Sequence, residues 1–340
     1  MEIRPVAVDD DAVFHEYYLA TERANRHGRE YPSFWSEPEI SAMFRGEPTD
    51  ERIETYAAFD SDRIVGTGVV FFPLLSNTHM AFFGLDTVPE RRREGIGSAL
   101  LEHTLTLIAI EGRTLALGEG QYPIGASDDH PARAFASKHG FTLGNEEIRR
   151  LLPLPVDDGV IQGWIDECSP HHDGYRIETY VDDQVPEHLQ PSYVHVMNQL
   201  AADAPTGDID FEAEALTVEM FNEHLARAMK AGRRSYRTLA IIQDADGRDE
   251  VVAHTQLACP PPGADEPYVY QWGTLVLSGH RGHRLGLALK ARNLRALQAE
   301  RPERTLVTTT NSPVNGPMVA INERMGFRPV EVSGEFMRSL

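Results

Sequence analysis

The sequence predicts an α/β (α+β) protein built from two tandem domains, and three observations lead there. First, the chain states one motif twice. An apolar run at 81–88 leads into Arg92-Arg93-Glu94-Gly95-Ile96-Gly97 and a helix-like stretch at 98–110. A second run at 269–277 leads into Arg281-Gly282-His283-Arg284-Leu285-Gly286 and another helix-like stretch at 287–298. Second, each turn is followed by a Gly-Phe pair. Gly140-Phe141 comes 48 residues after Arg92 (140 minus 92) and Gly326-Phe327 45 after Arg281 (326 minus 281). Third, 340 residues suffice for two domains that each bury a core.

The elements follow in order. Residues 1–7 read as a strand and 9–26 as a helix with Asp10 or Asp11 near its cap, followed by a short helix at 37–44. Alternating runs at 54–59 and 64–72 flank Asp60-Ser61-Asp62, a hairpin signal. A strand at 80–88 enters the first turn. After its helix come a parallel strand at 114–117, a helix at 131–139 and closing strands within 141–154. Prolines and weak periodicity at 153–175 mark a linker. The second copy restarts with a strand at 175–179, helices at 186–201 and 217–231, and a hairpin of 235–243 with 251–257. The domains are therefore set at 1–154 and 175–340, with 155–174 between them.

Composition narrows the partners. The net charge is −20, from 52 acidic against 32 basic side chains, which argues against a broad nucleic-acid-binding surface and suits a cationic ligand. No run of 18 apolar residues suggests a membrane span, and no signal peptide is visible, so a cytoplasmic location is expected. Cys168 and Cys259 have neither metal-site nor redox-motif spacing and are expected as reduced thiols. No metal site is expected.

A strand that runs through a glycine-bearing turn into a helix leaves the first helical N–H groups unpaired, with the positive end of the dipole behind them. Such a turn binds anions, and arginines beside it add charge-assisted contacts to phosphate. Neither turn is a Gly-x-x-x-x-Gly-Lys-Ser/Thr loop, and neither fits a dinucleotide fingerprint.

What the turns resemble is the acetyl-CoA loop of the GNAT superfamily of N-acetyltransferases, Arg/Gln-x-x-Gly-x-Gly/Ala. Arg92, Gly95 and Gly97 fit in full, whereas Arg281 and Gly286 fit with Arg284 in place of the first glycine. The resemblance covers most of the chain and is nearest to tandem GNAT proteins of the actinobacterial type, distantly including mycothiol synthase. It implies two GNAT domains, each a mixed, splayed β-sheet flanked by helices. It further implies acetyl-CoA, or another acyl-CoA, as cofactor and a small-molecule amine as acceptor. A pseudo-symmetric pair of domains would make a monomer sufficient, with a homodimer as the alternative.

By the same resemblance, the cofactor is expected along Thr87, Val88, Arg92, Arg93, Gly95, Ile96, Gly97 and Ser98 in the first copy. In the second it is expected along Leu275, Val276, Arg281, Gly282, His283, Arg284, Leu285, Gly286 and Leu287, with Asn311 and Asn315. The family pattern places Asn, Ala and Tyr before Gly-Phe. Here those positions hold Asp129, Ala132 and Ala136 in one copy and Asn315, Met318 and Asn322 in the other, so neither copy has the tyrosine that protonates the leaving thiolate. Catalytic candidates in the second copy are Tyr270, Gln271, His254 and the carboxylate of Leu340. Asp208, Asp210, Glu212 and Glu214 are set to reach in from an acidic loop, and Asp86 and His79 are the counterparts in the first copy. The leading reading is a ternary-complex N-acyltransferase with one competent and one degenerate domain. A CoA-binding scaffold without turnover is the alternative, and a mycothiol-synthase-like or antibiotic-amine acetyltransferase the second.

Overall fold

The computed structural model describes residues 1–46, 48–212, 216–261 and 267–340. In chain order the elements are β1 (Glu2–Pro5), α1 (Asp11–Arg26), α2 (Glu37–Phe44), β2 (Glu51–Asp60), β3 (Arg63–Pro73), β4 (Met80–Thr87), α3 (Ile96–Ile110), β5 (Leu115–Tyr122), α4 (Pro131–Lys138) and β6 (Thr142–Pro153). They continue with α5 (Asp158–Cys168), β7 (Arg176–Val181), α6 (Gln190–Asp203), α7 (Val218–Lys230), β8 (Arg234–Gln243), β9 (Asp249–Cys259), β10 (Tyr268–Val276), α8 (Leu285–Glu300), β11 (Leu306–Asn311), α9 (Gly316–Met325) and β12 (Arg328–Ser339).

Local chemistry accounts for the boundaries. Asp10 caps α1 by accepting from the N–H groups of Ala12 and Val13, and Ser36 with Glu39 forms a capping box on α2. Ser61 takes φ 57° between β2 and β3, as the Asp-Ser-Asp turn requires. The segment read as a linker contains α5, capped by Asp157 and burying Ile161, Trp164, Ile165 and Cys168. Pro153, Pro155 and Pro170 flank this short apolar stripe and break the periodicity around it.

By packing, unit 1 comprises Met1–Ile148, Thr206–Glu212 and Val330–Leu340, and unit 2 comprises Arg149–Pro205 and Ala213–Pro329. Packing thus assigns most of β12 and the 206–212 segment to unit 1, not to the copy in which the repeat places them. Unit 1 orders its strands β1-β2-β3-β4-β5-β12, with β4 and β5 parallel and β12 antiparallel to β5. Its core gathers Tyr17, Tyr56, Val70, Phe72, Ile96 and Leu100 between sheet and helices. The 206–212 segment adds a small cluster on one face of that sheet. Ile209 buries against Met80 and Leu117, and Phe211 stacks on Phe82 with ring centroids 6.2 Å apart.

Unit 2 orders β11-β10-β9-β8-β7, again with one parallel pair, β10 and β11. Helix α8 buries Leu287, Ala288, Ala291, Leu294 and Leu297 together with Trp164 and Ile165 of α5. On another face α6 and α7 bring Tyr193, Val196, Phe221 and Leu225 against Leu239, Ile241 and Val251. Cys168 and Cys259 both lie in unit 2, buried and free, and burial pushes both thiols up. Among the described residues no helix is long and apolar enough to cross a membrane, and no group of three or more His, Cys, Asp or Glu side chains is placed to hold a metal.

Candidate acyl-transfer site

In unit 1 the strands β4 and β5 pair from Met80/Leu115 to Phe83/Gly118 and then part, although β4 runs on to Thr87 and β5 to Tyr122. Each remains hydrogen-bonded on its outer side, β4 to β3 through Thr87 and β5 to β12 through Tyr122. The result is a fork whose inner edges no longer pair with each other. At its apex a Cβ on Gly118 would stand 2.6 Å from the Phe83 ring, so the missing side chain is the space that the ring occupies. Phe83 is braced from behind by Phe141, edge to face at 5.6 Å. This gives the Gly140-Phe141 pair a physical role.

Beyond the fork the chain turns into α3. Gly95 is the N-cap with φ 89°, and a Cβ built on it would meet nothing within 4 Å, so the helix start opens outward. Val88 and Ile96 are buried and anchor the turn, while Thr87 and Gly97 face each other across it. Ser98 shares a hydrogen bond with His139 at 3.0 Å, and a groove of about 830 Å³ runs from Ser98 along α3 to Ile110, lined also by His139 and Arg338.

Arg92 is committed to the fold. Its Nε donates to the Thr87 carbonyl at 3.3 Å and its Nη2 to the Ala24 carbonyl in α1 at 3.0 Å. Arg281 repeats the arrangement in unit 2, Nε to the Val276 carbonyl at 3.1 Å and Nη2 to Asp203 at 2.7 Å. Each first arginine is thus a strap from turn to strand end and helix end. Arg92 and Arg93 are both exposed, and Arg93, held at φ 69°, is the one with no hydrogen bond or ion pair among the described residues. Arg92→Ala is therefore expected to cost about 1 kcal/mol of stability. Arg93→Ala, in contrast, is expected to leave stability unchanged and weaken several-fold the binding of a phosphate-bearing ligand at the turn. Denaturant melts beside titrations with pyrophosphate check this split, and equal affinity losses with no stability loss for Arg92→Ala would refute it.

The two turns use the left-handed region at the same two places with the residues exchanged. Arg93 and Gly95 hold these positions in unit 1, Gly282 and Arg284 in unit 2. Glycine adopts that conformation freely and arginine at a cost. At the head of α8, the Arg284 guanidinium is paired with Glu167 of α5, whose second oxygen is taken by Arg324. His283 shares a hydrogen bond with the His171 carbonyl at 3.0 Å. Leu285, Gly286 and Leu287 are buried in the start of α8.

Unit 2 also forks, after Tyr270/Thr308. Its β10 carries a bulge between Gln271 and Thr274, and the Gln271 amide spans it, donating to Thr255 Oγ1 and to the carbonyls of Gln256 and Trp272. Thr309 Oγ1 donates to the Gln271 carbonyl across the fork at 3.2 Å. Asn315 caps α9 through the Met318 N–H, and Asn311 accepts from Asn322, the residue in the tyrosine position, at 2.5 Å. Tyr270 is half-buried between β9 and β11. His254 is 2 % exposed, and burial, then Arg237, holds its imidazole down at about 4. Leu340 belongs to unit 1, where its N–H donates to the Thr114 carbonyl at the end of β5 remote from the fork. Of the acidic-loop candidates, Asp208, Asp210 and Glu212 also lie in unit 1, and Glu214 lies outside the described residues.

The residue that the structure brings to the fork is Asp86. It lies on β4 opposite Thr67, half-buried, and burial raises its carboxyl to about 6 against the opposing pull of Arg92 and Arg29. His79 stands at the opposite end of the strand beside Glu212. Alternation puts Asp86 on the same face as Glu119 of β5. Glu119 is directly opposite Glu335 of β12, and Glu147 of β6 completes an acidic group. Burial, then Glu335 and Glu119, pushes Glu147 up to about 7; burial and Glu119 also raise Glu335, against a hydrogen bond from Asn145. Sequence reasoning missed the three glutamates because their assembly depends on β12 lying beside β5. The repeat did carry a signal for Asp86. The offset of 189 that superposes Arg92 on Arg281 (281 minus 92) also superposes Gly84 on Gly273 and Asp86 on Leu275, so only the first copy has a carboxylate there.

The comparisons with known proteins agree with this architecture. Residues 20–141 match the model of the acetyltransferase (GNAT) family. Among curated proteins none matches the chain by sequence. Among solved structures, a tandem GNAT protein from the clavulanic acid biosynthesis pathway superposes with a TM-score of 0.79 at 23% identity, covering 99% of this chain and 98% of that one. A GCN5-related N-acetyltransferase from Sphaerobacter thermophilus gives 0.66 at 13% identity, covering 99% and 95%. At these identities the likeness establishes fold. Residues 20–141 thus carry the match to the GNAT family, and the chain as a whole has the mixed α/β fold seen in tandem GNAT structures.

Proposed function

We propose that unit 1 is an acyl-CoA-dependent N-acyltransferase, using acetyl-CoA and a small primary amine in one ternary complex, and that unit 2 is its degenerate copy. The observation that carries this reading is the fork itself: the parting of β4 and β5 after Phe83/Gly118, Asp86 on its flank, and an open helix start at its end. These features suit the cofactor. The N–H groups at the start of α3 and the exposed Arg93 would hold its pyrophosphate, and the inner edge of β4 its pantetheine arm. When bound, the cofactor supplies an activated acyl group as a thioester.

The chain's own residues do the rest. Asp86, with its carboxyl near 6, is ionised at neutral pH yet basic enough to take a proton from the amine. A backbone N–H in the forked part of β4 would carry the charge that develops on the carbonyl oxygen. Glu119, Glu335 and Glu147 favour a cationic acceptor, because an ammonium would relieve three carboxylates that now repel one another. With Ala136 in the tyrosine position, the thiolate takes its proton from water or another hydroxyl.

Two features support degeneracy of unit 2. Leu275 replaces Asp86, and Arg284, engaged by Glu167, stands where glycine would leave the turn open. Native mass spectrometry with acetyl-CoA tests the assignment. One equivalent per chain is expected, retained in Arg281→Ala and accompanied by amine-dependent thiol release. Binding without thiol release across an amine panel would favour the scaffold reading, and two equivalents would refute degeneracy of the second turn.

A further inference from the structure

Within unit 2, the face of the sheet covered by α6 contains a polar group that the fold leaves unbalanced. Arg237 of β8 lies opposite Gln256 of β9, and His254, two residues before Gln256, shares their face. Tyr193 of α6 closes over them, its ring 5.5 Å from that of His254. All four are enclosed, with Arg237 4 % exposed, His254 2 %, Gln256 6 % and Tyr193 0 %.

The hydrogen bonds do not close. Arg237 Nη1 donates to the Asp182 backbone carbonyl at 2.8 Å, and the guanidinium rests 5.6 Å from the Phe221 ring. The Asp182 carboxylate is committed elsewhere, to Arg234 at 2.6 Å and to the Ser235 N–H at 2.8 Å. Arg237 stands beside the Tyr193 phenol without hydrogen-bond geometry. Arg237 Nε, Tyr193 Oη and both ring nitrogens of His254 have no hydrogen-bond partner among the described residues. No carboxylate is paired with the Arg237 charge among them either. A buried guanidinium without a counter-charge is among the more costly things a core can contain, and orphaned polar atoms add to that cost.

We infer that unit 2 binds a small monoanion, of halide or formate size, between Arg237, His254 and Tyr193. The donors match an acceptor-only ligand: a charged N–H from Arg237, the phenol O–H of Tyr193, and one N–H from the neutral imidazole of His254. The burial of all four side chains limits the ligand to a small ion, and Leu200 of α6 fills the place that a side chain on Gly273 would take, its Cδ2 2.1 Å from that position, which closes the β10 side of the group. The ligand is a bound constituent of unit 2's interior and is independent of the chemistry proposed for unit 1.

The test uses the full chain and bromide. Crystals soaked in bromide should show an anomalous peak within hydrogen-bond reach of Arg237 Nε and Tyr193 Oη. In solution, bromide and formate should raise Tm with saturation by mass action, while gluconate, too bulky for the pocket, should not. Tyr193→Phe keeps the ring and removes one donor, so it should weaken bromide about tenfold; Arg237→Met should abolish the effect. The inference is overturned by electron density for water with no anomalous signal, or by a Tm dependence on bromide that is the same in wild type and Tyr193→Phe. Should Arg237→Met fail to fold, the anomalous map and the Tyr193→Phe titration decide between these outcomes.

Discussion

Asp86→Asn should lower kcat/KM for the amine by about 10²- to 10⁴-fold, the range a positioned base contributes, and leave the acetyl-CoA KM nearly unchanged. Asn preserves shape and cannot accept the proton. In the wild type, kcat/KM should rise with pH through an apparent pKa near 6 and then level, because the carboxylate is the active form. The variant should lose that limb. Stability should move the other way. A carboxyl whose folded pKa is raised above its unfolded value of 3.8 lets the unfolded chain ionise first, so it destabilises the fold progressively between about pH 4 and 6 and by a constant amount above. Replacing it with a neutral amide should therefore stabilise the protein at pH 8, on the order of 3 kcal/mol, and bring no gain below pH 4. Calorimetric Tm values at the two pH extremes, beside the pH–rate profile, check both halves. An unchanged pH–rate limb in Asp86→Asn would remove Asp86 from the chemistry.

That a destabilised carboxylate persists at the fork and not at its counterpart bears on how the two copies divide their work. In unit 2 the equivalent Leu275 packs with Leu239, Ile241 and Val251, an ordinary apolar solution for a strand under a helix. Unit 1 forgoes that burial and keeps three further carboxylates on the same face, two of them directly opposed across β5 and β12. Like charges so placed weaken the sheet, and the arrangement makes sense when a cation is part of the working complex.

Much of this was readable from the chain. The hairpin between β2 and β3, the capped α1 and the strand–turn–helix at Gly95 each rest on local rules, namely alternation, side-chain capping and glycine at a left-handed position. The partners of β12 were not readable. Alternation tells which side chains of a strand face a core and is silent on which sheet the strand joins, so residues 330–340 could not be assigned to unit 1 from sequence. The same holds for 206–212, where Ile209 and Phe211 read as part of an acidic loop until Met80, Leu117 and Phe82 are seen beneath them. The arginines illustrate a different limit. Arg92 and Arg281 suit phosphate by residue type, yet in each unit a carbonyl at the strand end and an acceptor at the end of a helix, α1 or α6, lie within reach. Composition cannot show that competition.

The fork depends on one packing contact, and Gly118→Val should expose it. A Cβ at 118 would stand 2.6 Å from Phe83, and valine adds two methyl groups to it. The ring cannot retreat without moving Phe141, 5.6 Å behind it. Overpacking of this kind costs about 1–3 kcal/mol, and the clash lies where β4 and β5 separate, so the fork must deform. We expect a lower Tm together with at least a tenfold higher acetyl-CoA KM. Phe83→Ala alone should also destabilise, by leaving a cavity beside Phe141. The decisive quantity is the double variant. If the ring is the wedge that Gly118 makes room for, Phe83→Ala/Gly118→Val should be more stable than the sum of the single losses, because the valine refills part of the space that the ring vacates. Strict additivity would mean that the two positions do not act on each other, and the parting of the strands would then need another cause.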